Sequence, residues 1–338
     1  MRNLLQNIIL VSAAFILSGC AVTVNTTTVI PAGAPSVTDY KTVAVLDFSG
    51  NAGKNISPRV EAVISKAEVN NRKQYTVVDR NNINKILQEQ QFQMTLANPD
   101  TIVEFGELIG AEAIWTGLAQ KDFNITTSYE TRRKCGNYRD GKCVSYYNVS
   151  VRCEQRDLKL VVVPKLTSVS TGKIIYSRDF KGSDYNYYCH DYSYAADTES
   201  DLYEKVLTKI LRNFRIDIAP YTKDVSIKLM DKKDGANDKS LALLKNGLNF
   251  AKNNRMEKAC DIWERGLKET PESVSLNYNM GVCYELSSKY EYALKYFLKA
   301  EDTAGKPVKT ISHAIERTKE NIENQKKLKR QIHNTSDI

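Results

Sequence analysis

KTVAVLDFSG, residues 41–50, is the stretch from which the first half of the chain is read. Val43, Val45 and Phe48 stand among apolar neighbours and turn residues close the run, the pattern of a buried strand. The period then changes. Ile56, Val60, Val63, Ile64 and Ala67 recur at helical spacing. YTVVDR (75–80) is a second buried run, and Asn81 can cap a helix through NINKILQEQQ, with Ile83, Ile86 and Leu87 on one face. Pro99 and Asp100 open another helix that ends at Gly110, and AEAIWTGLAQ (111–120) is strand-like again. Strand, helix, strand, helix, helix, strand is the order of an α/β layered domain. Further on, Leu202, Val206, Ile210 and Phe214 mark a helix over 196–214, and TKDVSIKLMD (222–231) reads as a short strand closing this domain.

The chain opens MRNLLQNIILVSAAFILSGC, with one early positive charge, an apolar run over 8–17 and small residues before Cys20. That is the layout of a secretory signal (1–19), and the run is too short to span a membrane. LSGC (17–20) resembles the lipobox of bacterial lipoproteins, which implies cleavage before Cys20 and lipid on that residue. Ala21 rather than an aspartate at the next position implies the outer membrane. Residues 20–39, rich in Thr, Pro and Ala, are expected to be a lipidated tether rather than a packed element.

The composition, 42% hydrophobic and 26% charged over 338 residues, is that of a globular protein large enough for two domains. The formal net charge of +8 is spread along the chain apart from KKLKR (326–330), and no base-reading motif accompanies it, so nucleic acid is not an expected partner. Export places the cysteines in an oxidising space. Cys135, Cys143, Cys153 and Cys189 cluster in one region and permit three pairings, among which sequence does not choose. The reading adopted is a staple between Cys135 and Cys143 across a charged hairpin tip, with Cys153 and Cys189 as a second pair. Their spacing is not the CxxC type that favours zinc, so no metal or other cofactor is expected.

Four pieces of the first domain, VAVLDFSG (43–50), VVDRNNINKILQEQ (77–90), LIGAEAIWTGLA (108–119) and DLKLVVVPKLTSVSTGKIIYS (157–177), resemble the CsgG family of outer-membrane lipoproteins. The resemblance runs in order over about residues 40–215 and implies a CsgG-like α/β domain, set here at 40–231. Channel-forming members of that family insert β-hairpins from two places, which would fall near 122–156 and 178–200. A lipid-facing strand must alternate with an apolar face. Arg132, Arg133, Lys134, Arg139, Asp140, Lys142, Arg152, Glu154 and Arg156 break any such band. The expectation is polar periplasmic hairpins tied by the four cysteines. Their many tyrosines, from Tyr129 to Tyr194, suit a partner surface, or serve simply as good strand residues.

Beyond a linker at 232–239 the chain repeats at a period of 34. Gly247 and Gly281, Phe250 and Tyr284, Ala259 and Ala293, Trp263 and Phe297, and Gly266 and Ala300 all keep that spacing. The pattern resembles the tetratricopeptide repeat (TPR). It implies an all-α domain at 240–331, made of two repeats and a capping helix with Ile311, Ile315 and Ile322 inside. Carried over from that family, the partner-binding inner face would be Leu244, Leu248, Ala251, Tyr278, Val282 and Glu285. Cys260 and Cys283 are read as buried thiols, with a disulfide as the alternative.

No phosphate loop, metal-histidine pair or nucleophile elbow is present, and Cys189-His190-Asp191 are adjacent in sequence without the geometry that thiol catalysis needs. The chain is therefore expected to be no enzyme. It is expected to be an outer-membrane lipoprotein that faces the periplasm and scaffolds an envelope complex. Its expected partners are envelope proteins, itself as a ring, and the membrane through its lipid. The alternative is an oligomeric secretion channel of the CsgG type.

Overall fold

The computed structural model describes residues 22–81, 83, 85 and 99–333. The expected signal segment, Cys20 and most of the helix expected after Asn81 lie outside the described residues. The chain divides into two compact units, one of Val29–Lys223 with Asn324–Ile338, the other of Met1–Thr28 with Asp224–Glu323.

The first unit is built on a sheet. Strands β2 (Thr42–Val45), β5 (Thr76–Val77), β6 (Ala113–Arg139), β7 (Lys142–Ser168) and β8 (Ile174–Ser177) lie in the order β5-β2-β6-β7-β8, and β9 (Phe180–Cys189) also pairs with β7. Strand β2 is parallel to β5 and β6, whereas β6, β7, β8 and β9 pair antiparallel. Two short strands, β3 (Glu68–Val69) and β4 (Arg72–Lys73), form a separate hairpin.

Both faces of this sheet are covered. Val43, Val45, Ala113 and Trp115 pack against α1 (Gly53–Ser65) through Ile56, Val60 and Ile64, and against α3 (Glu199–Ile218) through Val206, Ile210 and Phe214. Ala44, Leu46 and Ile114 point the other way, to Ile83, Phe105 and Val169, with Phe105 on α2 (Pro99–Leu108). A strand buried on two faces reads as an unbroken apolar run, which is why TVAVLDF shows no alternation. Trp115 is fully buried and meets Tyr176 and Phe214 edge-on, at 5.6 and 5.2 Å between ring centres. Two residues on, Gly117 must lack a side chain. A Cβ there would stand 2.5 Å from the Phe48 ring and 2.6 Å from the Val163 carbonyl. Helix α3 starts at a capping box, in which the Thr198 side chain and Asp201 exchange bonds with each other's backbone N–H.

The expected tether is not one. Thr23–Ile30 is a strand, β1, paired with β10 (Tyr221–Lys228), and Pro35–Asp39 is a 3-10 turn with Val37 fully buried. Threonine and valine suit a pleated surface, so a Thr-rich stretch without helical period is as good a strand as a linker. The boundary of the first domain also moves. Residues 224–231, assigned to it above, fold with the helices, because Ile227 and Leu229 are buried in the helical core beside Val24.

That second unit carries α4 (Asp238–Lys252), α5 (Met256–Glu269), α6 (Val274–Leu286), α7 (Tyr290–Ala304) and the first half of α8 (Lys309–His333). Its two helix pairs repeat one contact. A Cβ on Gly247 of α4 would meet the Trp263 ring of α5 at 2.1 Å, and one on Gly281 of α6 would meet the Phe297 ring of α7 at 2.5 Å. Small residues thus let each pair close over a large ring at the same 34-residue offset. Ile311, Ala314 and Ile315 of α8 close the core.

Candidate functional site

The longest feature of the first unit is the hairpin of β6 and β7, 27 residues in each strand. Strand β9 supports it only as far as Cys153, which faces Cys189. Beyond that point residues 129–152 form a two-stranded ribbon, with each strand about 35 Å long. Asp140 and Gly141 turn it at φ 50° and 73°, the backbone that a two-residue hairpin of primed type requires. A two-stranded hairpin is marginal in water by itself. This one is fastened at both ends, by Cys135–Cys143 at the tip and Cys153–Cys189 at the root.

The ribbon's surface is basic and aromatic. Arg132, Arg133, Lys134, Arg139, Lys142 and Arg152 outnumber Glu130 and Asp140. Tyr129, Tyr138, Tyr146 and Tyr147 are exposed, and the Arg133 guanidinium lies 3.9 Å over the Tyr146 ring. At the root, Arg132 pairs with Glu130 at 2.8 Å and donates to the Cys189 Sγ at 3.5 Å. Glu154, nearly buried, takes Arg156 and Arg152 at 2.9 Å each and His190 at 3.6 Å. The Arg156 hydrogen bond, followed by that of His190 and the charges of Arg152 and Arg156, holds its carboxyl below the usual range against the opposing effect of burial. Glu130, Cys153 and Cys189 lie close enough to hold an ion, but both sulfurs are consumed by their bond to each other, and the same bond removes Cys189 as a nucleophile.

The expected partner-binding face of the helical unit must be corrected. Leu244, Leu248, Ala251, Tyr278, Val282 and Glu285 are brought together, but all are buried, none more than 7% exposed. The chain itself occupies the groove. Residues 224–230 run through it as an extended strap, with Ile227 and Leu229 in the core. Tyr278 donates its hydroxyl to the Lys228 carbonyl at 3.0 Å. Burial pushes that phenol up to about 12, so it remains a donor at neutral pH. Asn279 grips Met230 twice, accepting from its N–H at 2.9 Å and donating to its carbonyl at 2.8 Å. Glu285 takes a bidentate bond from Arg317 of α8 at 2.6 and 2.8 Å. Asn279 escaped the sequence reading. The alternation of asparagine with large apolar residues in LNYNM (276–280) was the available signal. Cys260 and Cys283 are joined, tying α5 to α6.

Among the described residues, no helix is long and apolar enough to cross a membrane. Two family models match the chain. One is the curli production assembly/transport component CsgG, over residues 32–190, and the other is a domain of unknown function, DUF6340, over residues 245–334. No curated protein matches. Among solved structures, the chain is similar to the C-terminal domain of LpoB from Salmonella enterica, at 14% identity and TM-score 0.25, over 45% of this chain and 84% of that one. It is similar to lipoprotein GNA1162 from Neisseria meningitidis, at 12% identity and TM-score 0.26, over 52% and 97%. A PelC dodecamer from Paraburkholderia phytofirmans matches at 14% identity and TM-score 0.26, over 57% and 99%. With the family match lying on the sheet, helices and ribbon just described, residues 32–190 are a CsgG-family domain.

Proposed function

We propose that this protein is a non-catalytic scaffold of the bacterial envelope. In this reading it is anchored to the outer membrane by lipid on Cys20, faces the periplasm, and uses its CsgG-family domain to assemble or hold an envelope complex. The helical unit is a two-repeat TPR-type module that steadies the strap and carries a further surface. The observation that carries the reading is the ribbon. Directly opposed residues share a face. One face holds Tyr129, Arg152, Thr131, Ser150, Arg133 and Asn148, the other Glu130, Val151, Arg132, Val149, Lys134 and Tyr147. Neither is an apolar band, and each charge on a lipid face near the midplane costs about 2–4 kcal/mol. A basic, tyrosine-studded arm stapled at both ends suits a protein or polymer partner in water.

A second reading, an oligomeric secretion channel, is favoured by one observation: the CsgG-family match falls on a domain with a hairpin long enough to cross a bilayer. The two are separated by extracting the full-length protein in mild detergent, imaging it by negative-stain electron microscopy and recording planar-bilayer conductance. Rings or monomers without conductance, together with envelope proteins crosslinked to residues 129–152, are the expected result. Closed rings that conduct would replace the scaffold reading with the channel.

A further inference from the structure

The route from Cys20 to the fold is short. One residue separates it from Val22, which already belongs to the helical unit. The Val22 carbonyl accepts from the Leu229 N–H of the strap at 2.8 Å, and its side chain packs against the helical core. Val24, two residues on, is buried in that core. The rest of β1 is fastened as well, by its pairing with β10 and by a bond from the Thr28 hydroxyl to Asn321 of α8 at 3.3 Å. Consecutive Cα atoms are 3.8 Å apart, so Cys20 stands no more than about 7 Å from Val22. A free tether over residues 20–39 would instead have let the fold stand up to roughly 65 Å from the membrane.

We infer that the helical unit is seated directly on the lipid bilayer, and that the surface around Val22 and the end of the strap meets the headgroups. The inference rests on the lipid anchor of the reading above and names the surface that the anchor draws to the membrane. Acyl chains on Cys20 lie in the hydrocarbon, and the fold can retreat from them by only two residues of chain. The side chains beside Val22 suit a wet, charged boundary and not the hydrocarbon itself. On β1 the exposed residues are Thr23, Asn25 and Thr27, all polar. On the strap, Lys228 and Lys232 are exposed on either side of Leu229, Met230 and the half-buried Asp231. Their amines can reach lipid phosphates, while the polar edge of β1 stops the fold at headgroup level. Peeling β1 away would lengthen the leash, but it would expose Val24 and strip the Leu229 N–H of its partner. The protein is thereby confined to the layer of periplasm next to its own membrane, and a partner must come to that layer.

The test uses the full chain, exported with its own leader and reconstituted into phosphatidylcholine liposomes. Intact mass first reads the lipid on Cys20. Its absence would sink the anchor reading and this inference together, and it is seen before any contact is measured. A nitroxide is then attached at Lys232→Cys, the cysteines from Cys135 to Cys283 being joined in pairs. Its relaxation by nickel chelated on lipid headgroups is recorded. The expected result is strong relaxation, lost when a ten-residue Gly-Ser spacer, spanning about 17 Å, is inserted between Ala21 and Val22. Hydrogen exchange on peptides covering 22–30 should stay slow in both proteins. Lipidated protein without relaxation at position 232, or relaxation that the spacer leaves unchanged, would overturn the proposal. So would fast exchange across 22–30 in the lipidated protein, which would show β1 peeled away as a leash.

Discussion

Asn279→Ala is the sharpest perturbation of the filled groove. The side chain is fully buried and satisfies both backbone groups of Met230, its N–H at 2.9 Å and its carbonyl at 2.8 Å. An orphaned buried polar group costs about 1–3 kcal/mol. Met230 is half-buried, so water can recover part of that for each group, and alanine regains about half a kcal/mol of helix propensity. The net expectation is a loss of about 2 kcal/mol, or a fall of roughly 10 °C in the melting of a unit this size. Tyr278→Phe removes one hydrogen bond, to the Lys228 carbonyl, and should cost about 1 kcal/mol. The assay is urea unfolding of the full chain followed by the fluorescence of its two tryptophans, Trp115 and Trp263, with hydrogen exchange read on peptides covering 224–231. Asn279→Ala should release protection in the strap before the helices lose theirs. An unchanged strap with a loss under about 0.5 kcal/mol would refute the argument, because the groove would then be held by apolar packing alone. A Tyr278→Phe loss as large as that of Asn279→Ala would refute it too.

Three further outcomes follow from the same structure. Gly247→Ala and Gly281→Ala each drive a methyl into a ring, at 2.1 and 2.5 Å, and should each cost about 1–3 kcal/mol in thermal melts, with the first the larger. Replacing Cys260 and Cys283 by serine opens a 23-residue loop and should destabilise the helical unit by about 3 kcal/mol in urea titration. For Glu154, the folded pKa is lowered, chiefly by the Arg156 hydrogen bond. Its contribution is therefore complete above the unfolded value, about 4.3, and is lost as pH falls through the lower folded value. Hydrogen exchange at the ribbon root should loosen below about pH 4, and Glu154→Gln should flatten that dependence.

The α/β core was legible because its signals are local. The run at 41–50, the helical spacing from Ile56 to Ile64 and the stripe from Leu202 to Phe214 each follow from a short window. The 34-residue repeat was legible for the same reason, since Gly247 and Gly281 must stay small wherever a large ring crosses them. What escaped was non-local. The stretch 23–30 carries no mark distinguishing a tether from a strand, and only its pairing with 221–228 decides. The inner face of the helical unit was identified residue by residue, yet its openness was not legible. Whether Tyr278 and Val282 meet a partner or their own chain depends on where residues 224–230 run.

Sequence alone determined the element types, the repeat period and the absence of an apolar band on the hairpin, because each depends on residues a few positions apart. The tertiary structure decided which cysteines join, what fills the groove and which tyrosines stack. Those outcomes depend on side chains brought together across tens to hundreds of residues, and the cost of closing such loops grows so slowly with their length that spacing hardly discriminates among them. Tyr284, Tyr292 and Tyr296 look like three ordinary surface residues until α6 and α7 lie side by side.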